Sequence, residues 1–139
     1  MSTMWRAKSI SLFNGRYVKG RLLVLEKPIS FFGDIDYSGK IINRELKYFN
    51  ESVAKRILVI PHGRGSTVSS YIIYSLAKRN LAPSAILSLY PDTIVLVGCV
   101  ISNIPYAYEI PRALLNHEYT NKIFEIKFTR NKAIIREIS

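Results

Sequence analysis

The residues best equipped for chemistry stand in one run, Pro61-His62-Gly63-Arg64-Gly65-Ser66-Thr67. Two glycines flank Arg64, and without a Cβ the backbone there can come close to a ligand. A helical pattern begins at Val68, so the run ends where a helix start directs unpaired N–H groups and a partial positive charge outward. An anion is the natural guest of such a loop. Ser66 and Thr67 sit where an N-cap belongs, and one of them can be that cap alone. The second reading keeps the cap and adds a reactive hydroxyl, with Arg64 and the helix terminus stabilising negative charge on substrate or on the serine oxygen. Pattern alone does not choose between the two.

Other chemistries fail on residue type. The dinucleotide fingerprint G-x-G-x-x-G needs glycine where Val68 stands, and the P-loop needs lysine where Gly65 stands. Gly63-Arg64-Gly65-Ser66-Thr67 is not a G-x-S-x-G nucleophile elbow, and the only candidate bases for a triad are His62 and His117. His62 adjoins the loop and is read as a bystander, His117 as a surface residue. Asp34 and Asp36 resemble the opening of a calcium loop, but the later ligands and the closing glutamate do not follow. The single cysteine, Cys99, excludes a disulfide and any zinc or iron–sulfur site built from this chain's own thiolates. It is expected to be a buried thiol.

Around the loop, Ile57–Ile60 reads as a strand covered on both faces, closed by Pro61. Val68 to Arg79 reads as a helix with Val68, Ile72, Leu76 and Arg79 along one stripe. Lys78 and Arg79 suit its carbonyl end, and Asn80 suits a left-handed stop before Pro83. Ala85–Tyr90 and Thr93–Val100 read as two further buried strands about a Pro91-Asp92 turn, which makes a β-α-β unit with a parallel pair. Ser9–Phe13 and Arg21–Leu25 are read as strands joined at Asn14-Gly15, and Gly33–Lys40 as an ordered loop. Residues 122–128 and 133–138 form a hairpin turning at Asn131-Lys132, with one face wet.

The 139 residues are expected to be one domain, and 48% apolar against 22% charged content excludes a disordered chain. The longest apolar run, Ile94–Ile101, is far short of the ~20 residues of a membrane span, and no signal peptide is visible, so a cytoplasmic protein is expected. The formal charge is +10, with six Lys or Arg against one Glu between Trp5 and Lys27 and no positive charge between Asn80 and Pro111. Such a polarised surface fits an acidic protein partner, an acidic substrate or nucleic acid. A nucleic-acid module would stack bases on Trp5, Phe13 and Tyr17, but no RRM, KH or helix-turn-helix signature accompanies them.

Three stretches together carry a resemblance: residues 59–68 around the glycine loop, Leu81-Ala82-Pro83-Ser84-Ala85-Ile86, and Val97 to Pro105. With Pro28–Asp36 and Ser38–Ile42 upstream, the chain resembles the small, swivel-domain subunit of the aconitase X family over about residues 20–110. The resemblance implies an α/β fold, a single swivelling β/β/α domain with an aconitase-swivel-like barrel over residues 1–139. It implies a hydro-lyase active only with a large subunit that carries an iron–sulfur cluster, none being held by this chain. The resemblance to those family members whose small subunit is a separate chain of this length implies loss of water from (R)-5-phosphomevalonate, giving trans-anhydromevalonate 5-phosphate in the archaeal mevalonate pathway. Dehydration of cis-3-hydroxyproline is the alternative within the family. By motif match Ser66 is the proton acceptor, and Gly63, Arg64, Gly65 and Thr67 shape the substrate pocket. Ser69-Ser70 departs from the Gly-Ser expected after the Ser-Thr-Val step, which narrows the groove there.

Overall fold

A computed structural model describes residues 3–138. Seven strands, β1 (Met4–Lys8), β2 (Tyr17–Val24), β3 (Ile57–Ile60), β4 (Ala85–Ser88), β5 (Tyr106–Ala107), β6 (Ile123–Phe128) and β7 (Lys132–Glu137), make one sheet in the order β1-β7-β6-β2-β3-β4-β5. Three helices, α1 (Phe31–Asp34), α2 (Val68–Lys78) and α3 (Thr93–Ser102), complete the architecture with short 3-10 turns.

β2 joins two kinds of sheet. Tyr17–Arg21 pair antiparallel with β6, and Val18 points inward while Tyr17, Lys19 and Arg21 face water. From Leu22 the strand pairs parallel with β3, and Leu22, Leu23 and Val24 are all buried. The change from alternation to an unbroken apolar run marks where one side of the sheet stops being wet. β3, β4 and β5 continue the parallel part through two crossovers, α2 and α3. The C-terminal hairpin is β6 against β7, with Phe124, Ile126, Phe128, Ala133 and Ile135 turned into the core.

The two helices pack closely. Gly98 leaves no room for a side chain, since a Cβ there would lie 2.8 Å from Ile73 Cδ1 and 3.2 Å from the Cα of Ser70. Ser70 Oγ donates to the carbonyl of Ile94 at 2.7 Å, tying α2 to the first turn of α3. Arg56 is buried where β2 meets β3, and its guanidinium donates to the carbonyl of Leu22 at 2.8 Å and to Asn121 Oδ1 at 2.7 Å. Burial holds its pKa below the ordinary arginine value, and the buried guanidinium is kept hydrogen-bonded by these acceptors and by Glu51 at 3.5 Å.

Three sequence expectations are corrected here. Thr93–Val100 is not a strand but the body of α3: Asp92 caps it by accepting from Val95 N–H at 3.0 Å, and Asn103, at φ 58°, ends it. Val95, Gly98 and Cys99 are its buried face, an i, i+3, i+4 set that an all-apolar run conceals. Ser9–Phe13 is not a strand either. Ser9 Oγ donates to the carbonyl of Tyr106 at 2.6 Å, Ser11–Phe13 forms a 3-10 turn that buries Phe13, and the first strand lies earlier, at β1. Finally, the buried stripe of α2 is Ser69, Ser70, Ile73 and Leu76, which leaves Val68 exposed. Gly33–Lys40 is an ordered loop that begins inside α1, and Asn80, at φ 61°, is the left-handed stop after α2.

The outer ends of the sheet touch at one place, where Lys8 and Tyr108 exchange two N–H···O bonds of 2.9 Å. Beyond that pair and the Ser9–Tyr106 bond beside it, no strand pairing among the described residues closes the sheet into the barrel of the resemblance. None of their helices is long and apolar enough to cross a membrane.

Candidate functional site

The glycine loop leaves the carboxyl end of β3, beside the segments that leave β2 and β4. Crevices at these strand ends are where open α/β sheets hold ligands. On the β2 side, Arg64 N–H donates to the carbonyl of Ile29 at 2.8 Å, so the loop runs as a short parallel extension of that segment. On the β4 side, Gly63 N–H donates to Asp92 Oδ2 at 2.7 Å. Gly65 then turns at φ +116°, a backbone region that favours glycine, and delivers Ser66 to the head of α2.

At that head the N–H groups of Gly65, Ser66 and Thr67 meet no acceptor among the described residues. Thr67 occupies the cap position without a side-chain cap bond. Ser66 Oγ accepts from Val68 N–H at 3.3 Å, at the long end of useful geometry. Ser66 is therefore both a weak cap and an exposed hydroxyl. An N–H donor on its oxygen and the positive end of an eleven-residue helix both favour negative charge there.

Arg64 is held by Asp34, whose two oxygens lie 3.2 and 3.3 Å from one guanidinium nitrogen. Asp34 is buried and already accepts from Ser30 N–H at 2.8 Å and Asn43 Nδ2 at 3.1 Å, so it is a fixed anchor. Ser30 caps α1 by accepting from Gly33 N–H. Phe31, Gly63, Arg64, Gly65, Ser66, Ser69 and Asp92 line a small hollow of roughly 30 Å³, and Ser69 is the residue that stands where glycine was expected. Outside it, Phe32 is 68% and Tyr71 71% exposed.

All five residues singled out in the loop, Gly63, Arg64, Gly65, Ser66 and Thr67, thus come together. Asp34 and Asp92, the two carboxylates that fix the loop, are not among the site residues expected from sequence, where Asp34 is weighed only as the opening of a calcium loop and Asp92 only as part of a turn. Their signals were an aspartate ending a one-turn helix and an aspartate before an apolar run. His62 turns back on its own loop, with Nδ1 2.6 Å from the carbonyl of Gly63. His117 lies elsewhere, paired through its N–H and ring with Glu26.

Among the described residues no three His, Cys, Asp or Glu side chains gather as a metal site requires. Cys99 is fully buried in α3, and burial followed by the charge of Asp92 pushes its thiol pKa up. These residues do not fit an iron–sulfur cluster. Nor do the three aromatic residues of the nucleic-acid reading form a stacking surface: Phe13 is buried, Trp5 packs on Phe124 and Tyr119, and of the three Tyr17 alone protrudes.

The model of the aconitase X swivel domain matches residues 5–135. The phosphomevalonate dehydratase small subunit of Thermococcus sibiricus is 37% identical over 133 residues, covering 95% of this chain and 99% of that one. Its counterpart in Methanothrix thermoacetophila is 38% identical over 104 residues, covering 74% and 76%. The crystal structure of Thermococcus kodakaraensis aconitase X in its holo-form superposes with a TM-score of 0.85 at 31% identity, over 99% of both chains.

Proposed function

The chain belongs to the aconitase X swivel-domain family, and from that premise we propose that it is the small subunit of a dehydratase acting on (R)-5-phosphomevalonate. The carrying observation is the head of α2, where three free N–H groups surround an exposed serine on a loop pinned from both sides. The relatives named above as phosphomevalonate dehydratase small subunits support the substrate.

Loss of water from a β-hydroxy acid removes a proton α to the carboxylate and hydroxide from the β-carbon. Ser66 takes the proton. A neutral hydroxyl is a poor base, so the alkoxide form has to be favoured, and the Val68 N–H, the helix terminus and exclusion of water all act in that direction. The free N–H groups of Gly65, Ser66 and Thr67, with Arg64 beside them, receive an anionic group of the substrate. Departure of hydroxide has no candidate group among the described residues. It falls to the large subunit, which carries the iron–sulfur cluster and covers the loop across the exposed Phe32, Val68 and Tyr71.

The test is anaerobic co-purification of this chain with its candidate large subunit, followed by an assay for water loss from 5-phosphomevalonate. Turnover in the complex and in neither chain alone is expected. A complex that leaves phosphomevalonate intact and dehydrates cis-3-hydroxyproline would replace the substrate, and failure to form a complex would overturn the reading.

A further inference from the structure

We propose that Asp92 is a positioning residue for this reaction, a carboxylate whose two oxygens lock the glycine loop to the first turn of α3. The inference rests on the dehydratase reading of Ser66. Oδ2 accepts from Gly63 N–H at 2.7 Å and Oδ1 accepts from Val95 N–H at 3.0 Å, so one side chain spans two elements that are 29 residues apart at the first bond. Gly63 is built around this contact: a Cβ there would lie 3.1 Å from Asp92 Oδ2 and 3.2 Å from Val95 Cγ2.

Asp92 is itself held. Its N–H donates to the Tyr106 hydroxyl at 3.2 Å, and that hydroxyl lies 2.5 Å from Ser88 Oγ. Ser88 gives its only hydroxyl proton to the carbonyl of Tyr90, so Tyr106 donates to Ser88 and accepts from Asp92. Burial pushes the Tyr106 pKa up to about 12, which keeps this donor protonated. A rigid chain of bonds therefore runs from β4 and β5 through Asp92 to Gly63, three residues before Ser66. Between Gly63 and Ser66 stands Gly65, the flexible link, so the position of Ser66 depends on how firmly the residues before it are held. Ionised aspartate suits the task because both oxygens accept and neither donates.

Two substitutions separate this role from simple capping. Asp92→Ser keeps one acceptor for the α3 cap but cannot reach Gly63, and Asp92→Asn turns an NH2 group toward one of the two N–H donors. In the assembled complex both are expected to lower kcat on the order of 100-fold, as a displacement of about 1 Å does, with KM changing much less. The melting temperature of Asp92→Ser should fall only slightly, since serine is a good cap and the half-exposed Gly63 N–H can turn to water. In the isolated full chain, the amide resonances of Gly63 to Ser66 should move in Asp92→Ser while Val95 N–H keeps its protection from hydrogen exchange.

Unchanged kcat in Asp92→Ser overturns the proposal. So does a loss of kcat that merely follows a loss of melting temperature or of complex, because Asp92 would then be a cap and no more. If the unsubstituted complex has no turnover, it is the dehydratase reading that fails. The amide resonances then decide the role of Asp92, and a Ser66 amide that does not move overturns it.

Discussion

The carboxylate of Asp34, with 5% of its side chain exposed, lies 3.2 Å from the guanidinium of Arg64, which is 55% exposed. The pair is asymmetric. Asp34 has other partners and cannot move without orphaning them, whereas Arg64 can turn toward water or toward a ligand.

That asymmetry gives the first prediction. Asp34→Ala leaves Ser30 N–H and the Asn43 amide without their acceptor, a loss of about 1–3 kcal/mol. Asp34→Asn can keep its oxygen on Ser30 N–H and loses the Asn43 contact, since Asn43 Oδ1 is already committed to Glu45 N–H at 2.9 Å, together with a half-exposed ion pair worth at most about 1 kcal/mol, so its loss should be the smaller. Denaturant unfolding of both variants checks this, and equal losses would show that the ion pair, rather than the buried acceptor, holds the segment.

Ser66→Ala separates chemistry from fold. Among the described residues the one bond its hydroxyl makes is the 3.3 Å contact from Val68 N–H, so stability should change by less than about 1 kcal/mol. Turnover of the complex should fall by roughly a hundred- to ten-thousandfold, the contribution of a positioned general base. Single-turnover rates measured on complex of verified composition test it, and a rate near that of unsubstituted complex would remove Ser66 from the reaction.

The part of the site that was legible in sequence is the part whose causes are local. A strand, two glycines and a helix start are neighbours along the chain, and Asn80 closes α2 by its own backbone preference. Asp34 and Asp92 were illegible because each meets the loop across about 30 residues of chain, a distance only the sheet order removes. α3 was misread for a different reason: eight successive apolar residues show neither period, so the evidence lay in its punctuation, Asp92 before and Asn103 after. β2 was half legible, its stretch Arg21–Val24 plain and its wet start Tyr17–Gly20 missed, because Gly20 interrupts the alternation.

On the proposed function, the exposed aromatic residues beside the loop are the surface that the large subunit covers. Val68 and Tyr71 share one side of α2, and Phe32 stands on the helix packed against it. Tyr71→Glu should leave the fold within about 0.5 kcal/mol, as exposed substitutions do. It should weaken binding of the large subunit by about 2 kcal/mol or more, roughly 30-fold. Tyr17→Glu, at the far end of β2 and also exposed, is the control, and equal weakening by both would move the interface elsewhere.

Acid should destabilise the chain through carboxylates bonded only while ionised. Asp36 is held below its ordinary pKa, chiefly by the Ser38 hydroxyl at 2.7 Å and then by Lys40 N–H, and Glu26 is held low chiefly by His117 N–H. A lowered folded-state pKa means the stabilisation is complete above the unfolded carboxylate range and is lost as pH falls through the lowered values. The melting temperature should therefore be level near neutrality and decline below about pH 4. Asp36→Asn should make that decline shallower, and an unchanged slope would exclude Asp36 as a contributor.

Gly98 tests the packing on which α3 presents Asp92 to the loop. Alanine is the better helix former by about 1 kcal/mol, so in a loosely packed helix Gly98→Ala would stabilise. Here the added methyl meets Ile73 Cδ1 at 2.8 Å, which can turn away, but also the Cα of Ser70 at 3.2 Å, which is backbone and cannot. Overpacking of this kind costs about 1–3 kcal/mol, so the net effect should be destabilising. Because Ser70 also bonds the carbonyl of Ile94, any separation of α2 from α3 stretches the 2.7 Å bond that fixes the first turn behind Asp92. Gly98→Ala should thus lower both the melting temperature and the turnover of the complex, and a variant more stable than the parent would show that the helices can part without cost.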